Sequence, residues 1–183
     1  PHQSWRLLES RPVSDHRIFR LRHDRYRVEP AGLERDFVVV DSPDWVNVIP
    51  LTDAGEVVLI RQYRHGVQRV TLEVPGGIVD PHESPETAAV RELQEETGYA
   101  PARVRLLGRV HPNPAFQNNS SYMYLAEDCR QIAEPQPEPF ERIEVVLRPL
   151  ASIPELIRSE QITHSLVINA FAFLGVLGSG YPP

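Results

Sequence analysis

The sequence predicts an α+β protein built on a mixed sheet, and three observations carry this. Short β-branched runs recur from residue 36 onward, whereas helical periodicity is confined to a few separate segments. One of those helices has both of its ends written in the sequence. The 18 prolines, about twice the average rate, cut the chain into short elements and rigid loops.

Taken in order, residues 1–30 are rich in arginine, with Arg6, Arg11, Arg17, Arg20, Arg22, Arg25 and Arg27. Segments 18–22 and 26–28 read as edge strands with a charged face. That face is a solvated strand surface or, in a sharper reading, a dimer arm or a rim that attracts phosphate. Runs 37–40, 45–49 and 57–60 read as strands. Segment 53–56, between the last two, reads as a hairpin turn with Gly55 at its strained position. Segment 70–74 is a further strand, stopped by Pro75-Gly76-Gly77. Residues 84–97 form a helix: Ser84 is a good N-cap, Pro85 suits the first position, and Glu86 favours the dipole. Gly98 suits the left-handed residue that follows. Strands follow at 104–110, 122–126 and 143–147, a polyproline-like loop at 134–139, and helices at 153–159 and 165–177.

With 183 residues, the chain has the length of one domain and needs no staples to bury a core. Its 41% hydrophobic and 24% charged residues exclude a wholly disordered chain, a collagen and a coiled coil. A net charge of −6 and a pI near 5.6 make nucleic acid an unlikely partner, because that binding needs a basic footprint. The single cysteine, Cys129, excludes an internal disulfide, leaves no pair for structural zinc, and fits a reducing cytoplasmic setting. No membrane span is expected. The apolar stretch 166–177 is interrupted by Asn169 and is shorter than the roughly 20 residues a span takes. Residues 1–6 lack a long apolar run, so no secretory leader is expected.

The chemistry lies in the helix at 84–97. At roughly 100° per residue, Glu96 falls about 40° from Glu92, and Glu95 about 60° to the other side. Three carboxylates therefore share one face, where like charges destabilise a helix unless something offsets them. Arg91, four residues before Glu95, can pair with it. Ala89, Val90 and Leu93 supply an apolar stripe opposite. Oxygen ligands with no His or Cys among them point to a hard cation held together with a substrate's phosphates.

Gly77, Glu83, Arg91, Glu92, Leu93, Glu95, Glu96, Gly98 and Tyr99 stand at the spacing of the Nudix box, with Tyr99 departing from the usual aliphatic residue. The chain thus resembles the Nudix hydrolase superfamily. The resemblance implies an α/β/α sandwich with a mixed sheet and the box as a loop–helix–loop. It implies an N-terminal strand arm over residues 1–45, a candidate dimerisation element, followed by the hydrolase domain over 46–183. It implies hydrolysis of a nucleoside diphosphate linked to another group, with Mg²⁺ or, in its place, Mn²⁺. Glu92 and Glu96 would be the principal metal ligands, assisted by Glu95 and the Gly76 carbonyl. Glu83 and Arg91 would orient the box.

Upstream, Arg61-Gln62-Tyr63-Arg64, Glu73 and Pro75-Gly76-Gly77 resemble the ADP-ribose and nucleotide-sugar pyrophosphatase branch. There, Arg64 would contact diphosphate, Arg61 is a further substrate-binding candidate, and Glu73 would contact substrate or metal-bound water. Planar guanidinium forks suit phosphate oxygens. Pro114 lies about where this branch carries a marker proline. The branch usually places a general-base Glu in the loop that follows, yet 111–126 has none. Candidates for the base are therefore Glu95, Glu92 or Glu73, or water positioned by Gln117, Asn118 or Asn119; His111 is a further acid/base candidate. Trp5, Trp45 and Phe116 are candidate platforms for a nucleobase. The branch also implies a homodimer. Three readings stay open: a Mg²⁺-dependent pyrophosphohydrolase of a nucleoside diphosphate sugar, a non-catalytic sensor of the same ligands, and a hydrolase of dinucleoside polyphosphates or capped RNA.

Overall fold

The protein is described here by a computed structural model, covering residues 4–136, 140 and 142–176. The chain divides into two compact units, residues 1–44 with 111–120 and residues 45–110 with 121–183. The first boundary falls one residue before the expected one. The loop 111–120 goes with the N-terminal strands rather than with the second unit.

The first unit is an antiparallel sheet of β1 (Ser4–Asp15), β2 (Arg20–Glu29) and β3 (Leu33–Asp41) in that order. Only part of it was expected. β1 is exposed along almost its whole length, so it shows no in-out alternation to read. The two expected edge strands are one continuous β2, which lies in the middle of the sheet. Much of the arginine run is engaged within this sheet. Arg20 meets Asp15 at 2.9 Å, Arg25 meets Asp36 at 2.8 Å, and Arg27 meets Glu34 at 2.5 Å. Arg25–Asp36 and Arg27–Glu34 are directly opposite pairs across β2 and β3. These pairs favour the solvated strand surface over the phosphate-attracting rim.

In the second unit, β4 (Trp45–Pro50) is the central strand. It pairs in parallel with β10 (Ser121–Glu127) and antiparallel with β7 (Gly76–Ile78); β9 (Arg103–Val110) completes this mixed sheet, ordered β7-β4-β10-β9. A second sheet, β12-β5-β6, is antiparallel and comprises β5 (Glu56–Arg64), β6 (Arg69–Glu73) and β12 (Ile143–Pro149). A short pair joins β8 (Tyr99–Ala100) to β11 (Arg130–Gln131). The turn at 53–55 forms, but its flanking strands do not pair as a hairpin ladder: β4 and β5 enter different sheets, with an isolated bridge between Leu51 and Val57 at the turn. Local turn chemistry was legible there; the choice of sheet was not.

Strand alternation puts two cores on opposite faces of the mixed sheet. Val46, Val48, Tyr124 and Ala126 pack with Ala88, Ala89 and Leu93 of α1 (Pro85–Thr97), together with Cys129. Ile49, Met123 and Leu125 face the other way. They join Val57 and Leu59 of β5, α2 (Ile153–Arg158) and α3 (Ser165–Leu174), whose Phe171 is fully buried. Helix, sheet and helix stack as the expected sandwich. α3 stops at Leu174 with Gly175 as its left-handed cap, earlier than expected; Leu177 lies outside the described residues, as do 137–139 of the polyproline-like loop. None of the described helices is long and apolar enough to cross a membrane.

Candidate active site

α1 begins and ends as its sequence dictates. The Ser84 hydroxyl accepts the Thr87 N–H at 3.1 Å, and Pro85 occupies the first turn. Gly98 caps the helix at φ 74°, donating to the Gln94 carbonyl at 2.8 Å. The buried face is Ala88, Ala89, Leu93, Glu96 and Thr97, so Ala88 replaces the expected Val90, which is only half-buried. Glu96 belongs to this inward side although it is charged, with 3% of its surface exposed. A buried carboxylate needs donors, and the Gly76 N–H supplies one to Oε2 at 2.9 Å.

Arg91 organises the rest of the box. It gives Nε to Glu83 Oε1 at 3.1 Å and Nη2 to Glu83 Oε2 at 3.0 Å. Nη1 is shared between Glu92 at 2.8 Å and Glu95 at 3.1 Å, and Nη2 also reaches the Ile78 carbonyl at 3.0 Å. Its hydrogen bonds to the Glu83 carboxylate, opposed by partial burial, hold Arg91 firmly charged. The same fork holds Glu83 below the usual carboxylate range. Gly76 is required by close approach, since a Cβ there would stand 2.2 Å from the Val46 carbonyl oxygen, and a Cβ at Gly77 would press on the Glu92 carboxylate, 2.3 Å from Oε1. The glycine turn is thus a floor on which the Glu92 carboxylate rests.

The donor chemistry of the box fits a hard divalent cation. Every candidate ligand is an oxygen, and three carboxylates share the single Arg91 guanidinium while a fourth, Glu96, is buried beside them. In this arrangement Arg91 and the Gly76 N–H engage those oxygens. Among the described residues no three His, Cys, Asp or Glu side chains converge as a ready cage.

Beside the glycine turn is a cavity of about 470 Å³. Its lining includes Gly76 and Gly77, Trp45 and Asn47 of β4, and Arg64, Arg69 and Thr71. His164 and Thr163, from the segment leading into α3, also line it. Arg64 makes a two-bond fork to Glu73, Nε to Oε1 at 2.9 Å and Nη2 to Oε2 at 2.8 Å. Glu73 is 1% exposed, and the Thr71 hydroxyl donates to its Oε1 at 2.5 Å. Burial alone would raise the Glu73 pKa, but Arg64 and Thr71 more than reverse this and hold it below the usual range.

Of the candidates from the sequence, Trp45, Arg64 and Gly76 line this cavity, and Glu73 is joined to it through the Arg64 fork. Arg61 is not among the lining residues. It lies at the other parity of β5 from Arg64, half-exposed, and reaches Glu144 at 3.3 Å. Phe116 lines a separate cavity within the first unit, with Trp5, Tyr26 and Phe37. The amide loop is committed to holding its own unit together. Asn118 donates to Asp41 Oδ1 at 2.5 Å and accepts from the Ser42 N–H, while Asn119, 2% exposed, donates to the Pro43 carbonyl at 3.0 Å. Gln117 lines the same first-unit cavity as Phe116, so none of the three amides expected to position water lines the cavity beside the glycine turn. The sequence reading missed Asn47, Arg69, Thr163 and His164. Only strand alternation from Val46 and Val48 could have found Asn47; nothing local marks the others.

The sequence matches the NUDIX domain family over residues 42–167. It is 27% identical to the ADP-ribose pyrophosphatase of Bacillus subtilis over 91% of this chain and 93% of that protein. It is 30% identical to a CMP-5'-(N-acetyl-N-hydroxy-3-aminopropyl)phosphonate hydrolase of Streptomyces rubellomurinus, covering 84% of this chain and 75% of that one. A crystal structure of an ADP compounds hydrolase shares the fold with a TM-score of 0.84 at 23% identity, over 94% of this chain and 93% of that one. Box, sandwich and relatives agree: the chain belongs to the NUDIX family, as a Nudix hydrolase of the branch that holds the ADP-ribose pyrophosphatases.

Proposed function

We propose that the protein cleaves the diphosphate of a nucleoside diphosphate sugar, with ADP-ribose the foremost substrate, to a nucleoside monophosphate and a sugar phosphate. The observation that carries this is the cavity wall itself: the box glycines Gly76 and Gly77 face the same space as Arg64. An acid-rich helix and a phosphate-binding fork thus adjoin one pocket of about 470 Å³. The names of the relatives at high coverage support a diphosphate or related linkage to a nucleoside.

Glu92 and Glu96 are the residues that would hold Mg²⁺ or Mn²⁺, with Glu95 and the Gly76 carbonyl assisting. When bound, such a cation supplies Lewis-acid polarisation of the phosphoryl group and lowers the pKa of water. Arg64 orients the diphosphate and takes up its charge. Arg91 and Glu83 hold the helix acids in register. Trp45 offers an aromatic wall to the nucleoside or sugar. Glu95, half-exposed and tied only through Arg91 in the bonds above, is the box acid best placed to accept a proton. The first unit is part of the same proposal as a homodimerisation element. Trp5, Leu7, Val13, Ile18, Leu33 and Val38 are large apolar side chains exposed on its strands and turns. A cytoplasmic setting rests on the single, buried Cys129.

The test is a turnover panel with millimolar Mg²⁺ on ADP-ribose, other nucleotide sugars, dinucleoside polyphosphates and nucleoside triphosphates, with products separated by chromatography. Release of AMP and ribose phosphate from ADP-ribose at the highest kcat/KM is the expected result. Selective cleavage of dinucleoside polyphosphates would overturn the substrate assignment. Binding without turnover would overturn the enzymatic one.

A further inference from the structure

Arg64 and Glu73 are unequal partners. Arg64 has 40% of its side chain exposed on the cavity wall and can turn into the cavity, whereas Glu73 is buried and cannot follow. A buried carboxylate stripped of its cation is strongly destabilised. The diphosphate reading asks Arg64 to serve phosphate, so a second group must keep Glu73 satisfied.

His164 has that position. Its Nε2 is 4.0 Å from Glu73 Oε2, the oxygen that Arg64 Nη2 occupies at 2.8 Å. Its other nitrogen is committed: Nδ1 accepts the Leu166 N–H at 3.2 Å as the N-cap of α3. A neutral imidazole that accepts at Nδ1 carries its proton on Nε2, the edge that faces Glu73. The ring is thus held by a helix end with its donor aimed at the carboxylate, on the wall of the same cavity.

Resting on the diphosphate reading, we infer that His164 is a positioning residue that takes over the Glu73 carboxylate when Arg64 turns from it to the phosphates of the substrate. The charges acting on the imidazole are Glu73 from β6 and Arg64 from β5; Arg69 reaches the neighbouring Thr163 at 3.3 Å. In the free protein, burial and the nearby Arg64 depress protonation of His164, and Glu73 opposes them. Departure of Arg64 removes one depressing charge and leaves the attraction of Glu73. The imidazole then takes a proton from solvent on Nδ1, giving up its acceptor bond to the Leu166 N–H, and becomes the cation that the pair has lost. Substrate binding is accordingly coupled to proton uptake, and affinity falls as pH rises past the free-protein value, which lies below 6.5.

The separating variant is His164→Asn. Asparagine is a good N-cap, so α3 keeps its cap while the donor that faces Glu73 is removed. With ADP-ribose and saturating Mg²⁺, the wild-type KM should climb with pH above the lowered free-protein value of His164, approaching tenfold per unit where the coupling acts. His164→Asn should raise KM about tenfold at the acidic end and flatten that climb, with the loss in kcat/KM carried chiefly by KM. The same KM and pH profile in variant and wild type would overturn the inference. A second measurement needs neither turnover nor variant: the imidazole ¹⁵N titration of His164 in the wild-type protein, with and without inorganic diphosphate and without metal. Diphosphate should move the midpoint upward; a stationary midpoint would overturn the inference. A protein that turns over no nucleotide sugar yet shows this upward move would retire the substrate assignment and leave the exchange at Glu73 standing.

Discussion

Two arginines anchor the hydrolase unit, and they are used in opposite ways. Arg91 is spread over Glu83, Glu92 and Glu95, so its surroundings hold more negative charge than it can balance. Arg64 forks onto Glu73, and that pair is balanced in charge. The first arrangement is stable in water only because Glu95 and Arg91 remain partly solvated. The second includes a fully buried acid, which tolerates no loss of its partner. An over-charged cluster attracts a cation, whereas a balanced fork does not. The two ends of the proposed site are thus distinguishable by charge accounting alone.

The comparison can be broken at its acidic end first. Glu96→Gln keeps the shape and removes one buried charge. It should lower kcat by about a hundredfold or more, the scale on which even supporting groups of metal sites act, with an unchanged circular dichroism spectrum. Near-normal turnover would remove Glu96 from the metal set. Arg91→Lys is next: one ammonium cannot reproduce the two-nitrogen grip on Glu83, so kcat/KM should fall by roughly tenfold or more. An enzyme indifferent to this change would mean that charge alone, not the fork, organises the box.

The balanced end gives smaller effects. Arg64→Ala should raise KM and, by stranding Glu73, cost about 2 kcal/mol of stability, a value tempered by the partial exposure of Arg64. The double variant with Glu73→Gln should restore most of that stability in a denaturant titration and none of the affinity. Recovery of both would show that Arg64 serves the fold and not the substrate. The smallest effect is on pH. Glu73 has its pKa lowered on folding, so its contribution is fully present above its ordinary value of 4.5 and is lost as pH falls through the lower, folded value. Glu73→Gln should therefore flatten the acid limb of the stability curve below about pH 4.5, the ordinary value of that group. A limb of unchanged steepness would place the acid sensitivity elsewhere.

The box was legible because its signals are local. Ser84, Pro85 and Gly98 fix the helix ends, and the 3.6-residue period alone puts Glu92, Glu95 and Glu96 together. β4 and β10 were legible from their β-branched and aromatic runs. What escaped depends on contacts far apart in sequence. β1 alternates nothing because nearly all of it is exposed. The turn at Gly55 gave no sign that its flanking strands part into two sheets. Asn118 and Asn119 have the composition of a polar binding loop, yet they are consumed by residues 41–43. His164 lies some ninety positions from Glu73 and declares itself only through the tertiary cavity.

Cys129, packed in the core beneath α1, provides a clock. It is the only cysteine of the chain, it is 2% exposed, and burial pushes its thiol up to about 11. A folded molecule therefore presents neither a reachable nor an ionised sulfur, and a maleimide or disulfide reagent can act only when this core opens. The rate of labelling reads the opening frequency of the layer that supports the box helix, without an added probe. Substrate with Mg²⁺ should slow that rate, and ligands that leave α1 untouched should not. A single atom of sulfur thus reports how firmly the acidic helix is seated.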